Sequence, residues 1–158
     1  MNLDARTRKN ITRLHPDLVR VLERASEISA QPFGVAAQAT RTAEEQHALF
    51  LAGRSQKDGY KHRSNHQLQA DGLGHAVDLT PIVGGKYDVN AVAPQYSIAA
   101  AMARASAELN IPLTWGGNWL EPLIGTTPAD MRASEARYVA KHPGPDFLDR
   151  PHFQLKGH

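Results

Sequence analysis

A chain of 158 residues is long enough to bury a core of its own, and 41% hydrophobic with 22% charged residues is the balance of a globular protein, not a disordered one. The absence of cysteine excludes a disulfide scaffold and any thiolate metal site, so a bound metal would have to be held by histidine and carboxylate. With 18 Lys+Arg against 16 Asp+Glu the net charge is only +2, and no apolar run reaches the length of a bilayer span, so neither a nucleic-acid partner nor a stable membrane association is expected.

The first eighteen residues, MNLDARTRKNITRLHPDL, carry charges with no apolar stretch behind them, unlike a secretory signal. After His15-Pro16, the spacing of Leu18, Val19, Val21, Leu22, Ala25 and Ile28 predicts an amphipathic helix over 16–30. Pro32 ends it, and Phe33 to Thr40 reads as a short strand. Thr42-Ala-Glu-Glu opens a second helix with a capping-box pattern, running to a C-cap glycine at Gly53. From Arg54 to Gly74 the chain is polar and turn-rich, which predicts a loop. Ala76-Val-Asp-Leu alternates like a strand, with a hairpin return at Gly84-Gly85. Residues 96–109 form the clearest helix, stopped by Asn110, and Ile111 to Trp115 make another strand entering Gly116-Gly117. A helix over 127–142, capped by Thr127, and a final strand at His152-Phe-Gln-Leu complete a single α+β domain over 1–158, with helices covering one small sheet.

Eight histidines are many, but His15, His47, His62, His142 and His158 follow no ligand pattern and read as solvated or capping residues. Three other places carry chemistry. Ser64-Asn-His66 followed by Gly74-His-Ala76-Val-Asp78 offers a neutral nitrogen and a hard anionic oxygen that can converge on one cation. Asp149-Arg-Pro-His152 sets a carboxylate three residues ahead of a histidine, with Pro151 stiffening the approach to a strand. Arg41, at the end of a predicted strand, is a cation placed to meet a substrate carboxylate or carbonyl. Each also has a plain structural reading: Asp78 as a turn cap, Asp149 paired with Arg150, Arg41 as a surface charge.

The string SNHQLQADGLGHAVDL resembles the SxH…GxAxD signature of the zinc D,D-carboxypeptidase and L-alanyl-D-glutamate endopeptidase family, to which many phage endolysins belong. PHFQL, with Asp149 before it, resembles the family's second motif. TRTAEEQHALFLAGRS is similar to its arginine-bearing strand–helix unit, and IPLTWGGNW to its WGGDW turn. The resemblance implies that His66, Asp78 and His152 hold Zn2+ in a cleft and that Asp149 is the general base. It also implies that Ser64 lies beside the first ligand on the substrate side, and that Arg41 faces substrate. It implies a small α+β fold and a peptidoglycan stem peptide as substrate, with L-Ala–D-Glu cleavage preferred. D-Ala-D-Ala carboxypeptidase is the alternative within the class, and a non-catalytic zinc-stabilised wall-binding module outside it.

A monomer without a separate wall-binding domain is expected, made in the host cytoplasm and acting on periplasmic peptidoglycan once the membrane is permeabilised. Three features depart from the family pattern. Seven residues, Gln67 to Leu73, separate the first histidine from the glycine, a longer spacer than usual that makes His75 a rival ligand. His75 and Asp78, three apart on a strand, would face opposite sides, which argues against that rival. Asn118 replaces the usual aspartate, and the 119–149 insertion is expected to form a lid or a wall-contacting surface.

Overall fold

The computed structural model describes residues 2–142 and 147–157. The chain begins with a six-residue helix, α1 (Ala5–Asn10), whose N-cap Asp4 accepts from the Thr7 amide at 2.7 Å. Its side chains then capture the segment read as a strand over 33–40. Thr7 Oγ1 accepts from the Val35 amide, Asn10 donates to the Val35 carbonyl, and Arg6 donates twice to the Ala36 carbonyl. With those backbone groups already satisfied, only β1 (Phe33–Gly34) remains as ladder.

Helix α2 (Pro16–Ile28) has Pro16 in its first turn, and the His15 ring accepts from the Asp17 amide at 3.2 Å. Leu18, Val21, Leu22 and Ala25 form its buried face. Helix α3 (Ala43–Leu51) carries the expected capping box between Thr42 and Glu45. Helix α4 (Val92–Leu109) starts four residues before the expected position and ends on Asn110, in left-handed conformation at φ 54°. Its alanine-rich face lets it approach α2 closely; Ala99, Ala100, Ala101, Ala103 and Ala105 are all buried.

Two sheets stand where one was expected. The first is three-stranded, in the order β1–β3–β4, with β3 (Thr80–Val83) and β4 (Lys86–Tyr87) joined through Gly84-Gly85, both at positive φ. The second is four-stranded and antiparallel, built from β2 (Ala76–Asp78), β5 (Leu113–Trp115), β6 (Asn118–Pro122) and β7 (His152–Leu155) in the order β2–β7–β5–β6. The split falls at Leu79, between β2 and β3, where the chain leaves one sheet for the other. Val77, Leu79, Leu113, Trp115 and Phe153 are fully buried and join the two layers to α4.

The 119–149 insertion supplies β6 and helix α5 (Pro128–Lys141), capped as expected by Thr127. Rather than a lid, α5 is part of the packed body: it lies on α4 and β6, with Met131 fully buried. Asn118 is buried in its β5–β6 turn and uses both ends of its amide. It donates to the Ser134 carbonyl and hydroxyl at 3.0 and 3.1 Å and accepts from the Leu120 and Glu121 amides. An aspartate could not donate to that carbonyl, so the departure at Asn118 is matched by its partner on α5.

Candidate metal centre and active site

The β2–β7 ladder places the first two site residues. Its register pairs Ala76 with Gln154, Val77 with Phe153 and Asp78 with His152. Residues directly opposite share a face, so Asp78 and His152 emerge together while Val77 and Phe153 point into the core.

His66 arrives from the polar loop and is held by a different means. The Arg41 amide donates to the His66 carbonyl at 2.8 Å, and Ser64 Oγ accepts from the His66 amide at 3.2 Å. Gln67, fully buried, accepts from the Ser64 amide and donates to the Gly59 carbonyl. The long spacer closes on itself: Gln69 donates to the Leu73 carbonyl, Gly72 turns at φ 78°, and Gly74 is returned to the body through Arg13 and His15. The extra residues therefore leave the convergence of His66 and Asp78 intact.

His66 Nε2 lies 3.0 Å from His152 Nδ1, and Asp78 Oδ1 lies 3.4 and 3.3 Å from those two nitrogens. The other nitrogen of each ring is already committed. His66 Nδ1 donates to the Ala39 carbonyl and His152 Nε2 to Gln154 Oε1. The three inward atoms are thus lone-pair donors, and Asp78 Oδ1 is buried with no hydrogen-bond partner. Such a set is repulsive unless a cation lies among it. Burial alone would raise the Asp78 carboxyl, but the facing imidazoles hold it well below the ordinary carboxylate range. Burial likewise works to lower His152, yet Asp78 beside it raises it. A proton here does electrostatically what a metal ion would do, and the His–His–Asp group could hold a metal ion.

Asp149 stands just outside this group, 4.0 Å from His152 Nδ1. Burial and the nearby Asp78 charge push its carboxyl up, against the pull of His152, His66 and Arg41. Its backbone is clamped by Gly116, whose carbonyl accepts from the Asp149 amide while its own amide donates to the His152 carbonyl. A Cβ at Gly116 would come within 2.1 Å of the Asp149 carbonyl oxygen, so only glycine permits the approach. The plain reading of Asp149 paired with Arg150 does not hold. Arg150 instead makes a two-pronged pair with Glu135 of α5, at 2.7 Å on each side, and that pair holds its guanidinium above its ordinary value.

Arg41 reaches the cluster, Nη2 lying 3.6 Å from Asp78 Oδ2 while Nη1 donates to Gln46. His75 points away, its Nε2 2.7 Å from Asp71 and its ring edge-on to His15. The structure thus brings His66, Asp78, His152, Asp149, Arg41 and Ser64 to one cleft of about 220 Å³. The site also contains residues the sequence reading missed: the buried amides Gln46 and Gln67, Gln154, and an aromatic wall in which Trp119 lies 5.0 Å from the His152 ring and stacks on Phe147. Gln154 had a visible signal, since a residue two along from His152 on a strand shares its face. Of the histidines set aside, His15 caps α2, His47 and His62 contact Asp58, His142 lies over Tyr138, and His158 is outside the described residues.

A family model described as phage L-alanyl-D-glutamate peptidase matches residues 1–132. The L-alanyl-D-glutamate peptidase of Escherichia phage T5 is 31% identical over 112 residues, 70% of this chain and 76% of that protein. The crystal structure of the Serratia marcescens L-Ala D-Glu endopeptidase ChiX matches with a TM-score of 0.67 and 28% identity, covering 99% of this chain and 90% of that one. The structural match extends past residue 132, over the segment that carries Asp149 and His152.

Proposed function

The chain belongs to the phage L-alanyl-D-glutamate peptidase family, and on that premise we propose that it is a zinc endopeptidase hydrolysing the L-Ala–D-Glu bond of the peptidoglycan stem. The observation that carries the reading is the convergence of three ligand atoms, from His66, Asp78 and His152, beside a fourth acidic group that is not among them. His66, Asp78 and His152 would hold the zinc, three protein ligands being the set of a catalytic rather than a closed structural site. Zinc bound there supplies Lewis acidity, polarising the scissile carbonyl and making water acidic enough to ionise near neutral pH.

The chain's own groups do the rest. Asp149, with its carboxyl raised by burial and by Asp78, accepts the proton of the attacking water and passes it to the departing amine. Its clamped backbone keeps it beside the His66–Asp78–His152 group without its being one of the three residues that would hold the ion. Arg41 holds positive charge at the cleft, where the carbonyl oxygen becomes negative. Ser64 orients His66 through the amide hydrogen bond and lines the substrate side. Gln154 and the Ala39 carbonyl fix the two ring tautomers, as the outer partners of metal-bound histidines do. The protein acts as a monomeric endolysin on periplasmic peptidoglycan once the host membrane has been permeabilised.

Purified Gram-negative peptidoglycan incubated with the protein, with and without a chelator, tests this by the masses of the soluble products. Chelator-sensitive release of peptides beginning at D-Glu is the expected result. Loss of a single terminal alanine would move the activity to a carboxypeptidase, and unchanged masses with zinc bound would leave only a binding module.

A further inference from the structure

Two guanidinium groups line the cleft, in different electrostatic circumstances. Arg41 is engaged, facing Asp78 and donating to Gln46. Arg54 lines the same cleft, is exposed, and has no acidic partner among the described residues.

The root of Arg54 is fixed by the end of α3. The Gly53 amide donates to the Phe50 carbonyl at 3.0 Å and the Arg54 amide to the Leu49 carbonyl at 2.9 Å, the paired bonds of a Schellman motif. Gly53 takes φ +70° with nothing crowding it, so the glycine is there for the sign of φ and not for space. On the other side, Ser55 Oγ accepts from Gln46 Nε2 at 2.8 Å and from the Lys57 amide at 3.1 Å. The backbone on both sides of Arg54 is therefore anchored, and its side chain alone is left to meet a ligand. The cleft also carries Asp78 and Asp149, which repel an incoming anion.

Given the L-alanyl-D-glutamate peptidase reading, on which this rests, we infer that Arg54 is the specificity residue that binds the free α-carboxylate of the stem D-Glu. In peptidoglycan stems this residue is joined onward through its γ-carboxyl. Its α-carboxylate therefore stays on the carbon that bears the scissile nitrogen, as the acid or as the amide. A planar guanidinium matches a carboxylate with two parallel charge-assisted hydrogen bonds and has no such match to a neutral carboxamide. Arg54 thus selects stems whose D-Glu has not been amidated.

The test uses the zinc-loaded full chain and two synthetic peptides, L-Ala–γ-D-Glu–L-Lys and its α-carboxamide counterpart. Wild type is expected to favour the acid by roughly tenfold to a hundredfold in kcat/KM, mainly through KM. Arg54→Gln abolishes the preference by losing the acid while the amide rate stands, and Arg54→Lys falls between. Equal cleavage of both peptides by wild type overturns the assignment while leaving the peptidase reading in place. So does an Arg54→Gln variant that slows both alike. Cleavage of neither peptide by the wild-type protein sinks the peptidase reading and this inference with it.

Discussion

Asp78 and His152 are held by a β-ladder, whereas Arg41 and the loop that carries His66 are held by buried side-chain amides. On the ladder side, position follows from backbone pairing, and the residues behind the site, Val77 and Phe153, are ordinary core. On the loop side there is almost no ladder. Gln67 ties Ser64 to Gly59, and Gln46 ties Arg41 to Ser55 and Lys57. A ladder tolerates the loss of one side chain because its bonds are between main chains. An amide network is less tolerant, because the bonds are made by the glutamine side chains themselves and go when one is removed.

The largest effect should erase the difference. His66→Ala and His152→Ala are expected to lose zinc alike, and activity with it; metal analysis of the purified variants decides, and a normal zinc content in either removes that residue from the ligand set. Asp149→Asn should keep its zinc and lose activity by about 10²- to 10⁴-fold, the usual share of a general base; a variant that turns over normally would dismiss Asp149 from that role. Next comes the contrast itself. Gln154→Leu leaves the ladder intact and should weaken zinc binding by about 10- to 100-fold through His152 alone, with little change in unfolding midpoint. Gln67→Ala strands the Ser64 amide and the Gly59 carbonyl and should cost about 1–3 kcal/mol in denaturant unfolding. If both variants behave alike, the two regions are not held differently.

The smallest effect concerns the loop's outer corner. Asp58 accepts from the Tyr60 and His62 amides, and those bonds, the His62 one foremost, hold its carboxyl at about 2 against an ordinary 3.8. A depressed carboxylate contributes stability that is present above its ordinary value and disappears as the pH falls through about 2. The Tyr60 and His62 amides should therefore lose hydrogen-exchange protection across that window, and Asp58→Ala, which removes the acceptor, should lack it throughout.

How much was legible follows the same division. Helices α2, α3 and α5 and the ladder strands carried periodicity, caps or alternation, and the motif residues lie together in one cleft. The strand over 33–40 was misread because α1, with six residues and no apolar stripe, gave no periodic signal of its own. Its Arg6, Thr7 and Asn10 nevertheless decide where the strand stops. The glutamines went unseen for a related reason. A glutamine, whether on helix α3 like Gln46 or in a polar loop like Gln67, is ordinarily exposed, and only the folded structure shows that both are fully buried with their hydrogen-bonding groups used.

The pairing of Asp78 with His152 on one rung has a consequence for how the chain reaches its native state. Sliding β7 by a single residue along β2 would turn His152 inward and Phe153 outward. Such a slipped chain keeps most of its ladder but presents no second imidazole to the cleft. A misaligned sheet would then be unable to take up an ion held by these residues, and that ion would stabilise only the aligned one. The metal centre would act as a proofreader of strand alignment before any substrate arrives.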